Sequence, residues 1–169
     1  YTMRGMLERA SRDVFGFCSQ SQTVNVSLVE VLGTDVTDLV SRRSVEVAED
    51  RFGSIQLRNA EEREVKTAEE LLSVTSAALE HRLSRGTERN TSGSSRSHAI
   101  ARIRIQENDK EKLAAGIVGD GLLFMVDLAG SERAADQRKH SSQALAETKL
   151  INTSLMTLKD CIRARSCTG

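Results

Sequence analysis

The sequence predicts an α/β fold, a sheet sandwiched by helices. Three observations carry this. Strand-like and helix-like segments interleave along the chain, residues 117–126 are almost continuously aliphatic, and residues 142–165 repeat apolar side chains at helical spacing. With no tryptophan, one tyrosine and four phenylalanines, the core has to be built from aliphatic side chains.

Met6, Ala10, Val14 and Phe17 recur at spacings of four, four and three, which predicts a helix over 5–17. Val24, Val26 and Leu28 alternate and then change phase to Val29 and Val31, so the next segment is a strand that is either bulged or buried on both faces. Gly33 with Asp35 reads as a turn, and 45–47 with 54–57 as a hairpin around Gly53. Thr67-Ala68-Glu69-Glu70 has the form of a capping box, opening a helix that buries Leu71, Thr75, Ala78 and Leu79 and runs to about Leu83. Residues 85–97 are a polar loop rich in Gly, Ser, Thr and Asn. Ala101, Ile103 and Ile105 alternate with Arg102 and Arg104, a half-exposed strand. The run 122–126 is expected to be a central strand covered on both faces. Leu145, Ile151, Leu155, Leu158 and Ile162 predict an amphipathic helix over 142–165, with Cys161 on its apolar side as a small core residue.

Twenty-four basic and 24 acidic residues cancel, so net charge signals no polyanion-binding stripe and nucleic acid is not an expected partner. No apolar span is long enough for membrane insertion, and no signal peptide is visible. Cys18, Cys161 and Cys167 are odd in number and lack CxxC spacing, which fits a reduced compartment better than a zinc site. The chain opens on Tyr1-Thr2-Met3 and reads as an internal piece of a longer protein.

Two segments carry chemistry. In Leu122–Glu132 a strand delivers Asp127 and then Gly130 at its carboxyl end, where α/β folds place phosphate ligands. Asp127 suits Mg²⁺ because hard cations take oxygen ligands, and Gly130 lets a backbone N–H approach a terminal phosphate. The plainer reading of Asp127 is a cap on the following element. In Asn90–His98, serine hydroxyls are able to ligate magnesium and orient a water, and Arg96 to clasp a carboxylate. The plainer reading there is a flexible serine-rich loop.

Taken together, Ser94-Ser95-Arg96-Ser97-His98 and Asp127-Leu128-Ala129-Gly130-Ser131-Glu132 resemble switch I and switch II of kinesin motor domains. Ile151-Asn152-Thr153-Ser154-Leu155 resembles the helix after switch II, 26–39 the strand ending in VxDLL, and Tyr1-Thr2-Met3 with Gly5 the segment following the phosphate-binding loop. The resemblance spans essentially the whole chain. It implies a P-loop NTPase-like α/β fold whose central sheet is mixed and mainly parallel, with helices on both faces, here without its phosphate-binding loop or the C-terminal part of the motor.

The resemblance also implies roles. Ser95 would ligate Mg²⁺, Ser94 hold the attacking water, Asp127 hold the ion's water shell and the Gly130 amide sense the γ-phosphate. Arg96 would pair with Glu132, and Glu132 would pass a proton away from the attacking water. Asn90 stands one residue before the place where kinesins carry a nucleotide-contacting asparagine, with Thr91 at that place. Arg138, Lys139, Lys149, Lys159 and Arg163 would face acidic tubulin, although charges on a solvated helix face are ordinary. Arg82, Arg85 and Arg89 form a further basic cluster to which no role attaches, and His81 reads as a helix-end residue.

The activity so implied is that of an ATP- and Mg²⁺-dependent microtubule motor of the cytoplasm and cytoskeleton, with this piece alone expected to be inactive. Residues 11–15, 132–136 and 159–164 look most like the depolymerising kinesins with internal motors, whereas Ser131 matches the walking ones. A rival is a motor-like protein that binds microtubules or a partner without hydrolysing ATP. A small GTPase fits less well, because the Ser94–His98 string is foreign to that class and no guanine-reading motif is seen.

Overall fold

The computed structural model describes residues 2–53, 55–88, 96–116, 121–130 and 142–166. Helix α1 (Thr2–Phe17) leads into the long strand β1 (Gln22–Leu32). Strand β2 (Asp35–Asp38) returns along β1 through a turn at Gly33, whose φ of 61° lies in the left-handed region. A Cβ at Gly33 would stand 3.1 Å from the Leu150 Cδ1 methyl. Strands β3 (Glu46–Glu49) and β4 (Ile55–Arg58) form a separate hairpin, as expected. Strand β5 (Arg63–Val65), helix α2 (Ala68–Glu88), strand β6 (His98–Glu107), the short α3 (Lys110–Ala114), strand β7 (Gly121–Asp127) and helix α4 (Ser142–Ser166) complete the order.

The main sheet runs β2-β1-β6-β7, with β5 sharing one edge of β1 with β2. Val24, Val26 and Leu28 of β1 stand opposite Ile105, Ile103 and Ala101 of β6 and point to one face. There they meet Leu7 of α1 and Leu71 and Ala78 of α2 in the main core. Each fully buried Val, Leu or Ile among them contributes roughly 1.5–3 kcal/mol. On the other face Val29, Val36 and Val45 cluster with Leu57 of the hairpin and Ile100. Strand β1 is therefore buried on both faces at its centre, one of the two readings its phase change allowed.

Asp38 closes the corner after β2. Its carboxylate is wholly buried and accepts the N–H groups of Val40 (2.7 Å), Ser41 (3.1 Å) and Glu61 (2.6 Å).

Several expectations are corrected. Every strand pairing among the described residues is antiparallel, so the mainly parallel sheet is not found here. The reason is local: β1 and β2 join through a tight turn, and the connection from β6 to β7 holds one short helix, so neither returns the chain for parallel pairing. Strand β7 is paired on β6 alone among the described residues, and Leu122, Phe124 and Val126 are 55%, 55% and 47% exposed instead of covered. In α1 the buried side is Leu7 and Ser11, flanked by Met3 and Val14, while Met6 and Phe17 face solvent, a rotation of the predicted stripe. Cys161 is exposed, not core. Helix α2 runs five residues beyond Leu83, which places His81 inside it. At its start Thr67 Oγ1 accepts the Glu70 N–H as a capping box requires, but the Glu70 carboxylate reaches back to the Lys66 N–H, one residue early.

No described helix is long and apolar enough to cross a membrane.

Candidate functional site

The site grows from one face of α2. Leu71, Thr75, Ala78 and Arg82 are buried and follow each other at spacings of four, three and four, so the helix presents an arginine on its core stripe. Thr75 joins that stripe by donating its hydroxyl to the Leu71 carbonyl at 2.9 Å. The Arg82 side chain is 2% exposed, and a charge so buried has to be paired.

Its partners come from three strands. Nη1 donates to Asp127 Oδ2 at 2.5 Å, at the end of β7. Nη2 donates to the Ser97 carbonyl at 2.6 Å and Nε to Ser97 Oγ at 3.2 Å, at the threshold of β6. Ser97 Oγ in turn donates to Glu30 Oε1 at 2.8 Å, and that oxygen lies 3.8 Å from Arg82 Nε. Glu30 on β1 and Asp127 on β7 each stand opposite Ala99 of β6, which is why both carboxylates converge from the same face. A cleft of about 330 Å³ opens beside this cluster, lined by Asp127, Arg82, Leu79 and Ser76 together with Met3 and Arg4 from the first turn of α1.

His98 ties the same strand ends to α4. Its Nδ1 accepts the Ala129 N–H at 3.1 Å and its Nε2 lies 2.8 Å from Ser154 Oγ. Ser154 spends its own proton on the Ile151 carbonyl at 2.7 Å, so His98 donates to it and is the neutral tautomer protonated at Nε2. Burial and then the Arg82 guanidinium hold the His98 pKa below its ordinary value, with Asp127 opposing.

Of the residues expected to act, Asp127 and Gly130 lie at and just beyond the end of β7, Asp127 with a side chain 43% exposed and Gly130 half-buried. Arg96 is half-buried immediately before β6. Asn90, Ser94, Ser95, Glu132, Arg138 and Lys139 lie outside the described residues, so neither the Arg96–Glu132 pair nor the Ser95 metal contact is on view. Lys149, Lys159 and Arg163 are exposed on α4, within an arc of roughly 80° about its axis.

Two site residues escaped the sequence reading. Arg82 was placed in a basic cluster without a role, yet its spacing from Leu71, Thr75 and Ala78 marks it as a cation on an apolar stripe. His98 carries no role of its own in the sequence beyond its place in the Ser94–His98 string, whereas in the fold it serves as a hydrogen-bonded strut.

The kinesin motor domain family model matches residues 1–168. Among curated relatives, the diatom spindle kinesin-1 of Cylindrotheca fusiformis is 33% identical over 97% of this chain and 26% of its own length. The mouse kinesin-like protein KIF24 is 36% identical over 95% of this chain and 12% of its own length. The solved structure of a fast kinesin superposes with a TM-score of 0.66 at 29% identity, over 88% of this chain and 42% of that one. A microtubule-bound KIF14 dimer shares the fold, with a TM-score of 0.66 at 20% identity, over 92% of this chain and 46% of that one. The chain thus spans about a quarter or less of these curated relatives.

Proposed function

The chain belongs to the kinesin motor domain family, and from that membership we propose that it is the nucleotide-sensing part of a microtubule-dependent ATPase. One observation supports this above the rest. Arg82 grips Ser97 and Asp127 at once, so the ends of the hydroxyl-rich and acidic segments meet at one point. Segments that must share a single magnesium–triphosphate have to begin there.

The donor chemistry fits the ion: Asp127 offers a half-exposed carboxylate, and Ser95, two residues before Ser97 in the sequence, a hydroxyl. Magnesium, when bound, neutralises charge on the β- and γ-phosphates. This chain's residues then position and polarise. Asp127 orients the ion's water shell, the Gly130 amide meets the γ-phosphate, Ser94 holds the attacking water, and Asn90 lies beside the nucleotide. Glu132 draws the proton away from the attacking water through a second water, and Arg96 pairs with Glu132 to close the site. Arg138, Lys139, Lys149, Lys159 and Arg163 meet acidic tubulin, which makes binding salt-sensitive. The protein acts in the cytoplasm on the microtubule cytoskeleton, and residues 1–169 form part of its motor domain.

The test uses the full-length protein. Glu132→Ala is expected to slow microtubule-stimulated hydrolysis about a hundredfold or more, with nucleotide affinity within a few-fold of the parent. Equal losses in both overturn the proton-accepting role, and wild-type protein that binds microtubules without hydrolysing ATP would leave a pseudo-motor in its place. With stabilised microtubules, shortening ends mark a depolymeriser and gliding without shortening marks a walking motor.

A further inference from the structure

We propose that Ser44 is a phosphorylation site, taken by an ATP-using protein kinase whose acidic substrate groove reads the arginines before it. The segment between β2 and β3 carries Arg42-Arg43-Ser44-Val45, the first three exposed and Val45 buried. Neither guanidinium has an ion-pair partner among the described residues. Arg42 also sits at φ 63°, in the left-handed region that glycine or asparagine adopts more cheaply. An arginine kept on a strained backbone, yet paired with nothing in its own fold, points to a partner outside it.

The hydroxyl is open to modification. Ser44 faces Thr37 across an isolated bridge, and its Oγ makes no hydrogen bond to another described residue. Other serines close behind an arginine differ. Ser11, two residues after Arg9, is buried and donates to the Leu7 carbonyl at 2.7 Å. Ser166, three residues after Arg163, lies in α4 and donates to the Ile162 carbonyl at 3.0 Å. A kinase groove takes its peptide extended, which the bridged segment supplies and a helix does not. Two backbone bonds hold that segment to β2, from the Asp38 N–H to the Arg43 carbonyl (2.8 Å) and from the Val45 N–H to the Val36 carbonyl (2.9 Å). Opening it therefore costs these bonds and the packing of Val45 while the main sheet stays intact.

In the step itself Ser44 Oγ attacks the γ-phosphorus of the kinase's ATP. The Oγ–P bond forms as the bond from that phosphorus to the β–γ bridging oxygen breaks, ADP leaves, and the hydroxyl proton passes to a carboxylate of the kinase. The added charge of about −1.5 to −2 cancels most or all of the charge of Arg42 and Arg43, so the loop changes from cationic to near neutral.

The experiment incubates the full-length protein with ATP and the catalytic subunit of cAMP-dependent protein kinase, which reads arginines before its serine. A parallel incubation uses casein kinase 2, which reads acidic residues after it. Peptide mass spectrometry locates the phosphate, and initial rates are compared between variants. Ser44 is expected to be modified about tenfold or more faster by the first kinase than by the second. Arg42→Gly suits the left-handed position, so it is expected to keep the parent's urea midpoint while slowing phosphorylation of Ser44 about tenfold. Arg42→Asn, also at ease there, is expected to do the same. Unchanged rates in both variants show that the arginine is not read, and the proposal fails. Phosphate that reaches Ser44 only after unfolding in urea, or that appears at Ser11 or Ser166 instead, also overturns it.

Discussion

His98 Nδ1 stands 3.1 Å from the Ala129 amide nitrogen and accepts its proton, so a side chain of β6 holds the backbone two residues past the end of β7. The Ala129 amide is buried, and nothing else described takes its place as acceptor. His98→Ala leaves that N–H without a partner, while Ser154 keeps its bond to the Ile151 carbonyl. The variant is expected to lose about 1–3 kcal/mol of stability, read from the urea midpoint at pH 7.5. An unchanged midpoint refutes the strut.

The same imidazole makes stability depend on pH. Its pKa in the fold lies below the ordinary 6.5, chiefly through burial and then Arg82, with Asp127 pulling the other way. Between the two values the unfolded chain binds the extra proton, so stability rises with pH through that window. The contribution of neutral His98 is complete above about pH 6.5 and is lost as pH falls toward the folded value. Chemical denaturation between pH 7.5 and 5.5 is expected to show this decline, and the His98→Ala protein to show a shallower one.

Asp38 accepts three backbone N–H groups with no exposure to solvent. Asp38→Ala orphans all three, at about 1–3 kcal/mol each, which exceeds what a marginally stable domain tolerates. The expected result is loss of soluble protein. Asp38→Asn keeps one acceptor oxygen and is expected to give soluble protein with a lowered urea midpoint. Normal yield of Asp38→Ala would show that the corner tolerates open donors.

Strand β7 exposes Leu122, Phe124 and Val126 beside an edge that is unpaired among the described residues. An apolar strand edge of this kind recruits other chains. Phe124→Lys is expected to raise the concentration at which residues 1–169 begin to scatter light, leaving circular dichroism unchanged. Earlier scattering by the lysine variant contradicts the assignment of this edge as the association site.

Much of this architecture could be read beforehand, and the failures have a common physical cause. Periodicity finds elements, so β1, α2, β6, α4 and the hairpin around Gly53 emerge at or near their observed bounds. It is blind to what packs against them. The aliphatic run at 122–126 is as apolar as a buried strand, yet its environment depends on neighbours that its own residues do not encode. Cys161 follows the apolar spacing of α4 but lies beyond Ile151, where the buried contact of that helix gives way to solvent. At the site, Asp127 was legible because chemistry and position coincide at a strand end. Arg82 was not, because its partners Glu30 and Asp127 lie 52 residues before and 45 residues after it in the chain.

The turn at Gly33 lies against Leu150 of α4. A leucine methyl resting on a bare backbone turn resists compression but has no direction to defend, whereas the imidazole–hydroxyl bond one helical turn later, at Ser154, fails when either group rotates. The helix is thus riveted at one place and merely propped at another. Larger residues at position 33 are disfavoured on two counts, the left-handed backbone and the need for that methyl to give way.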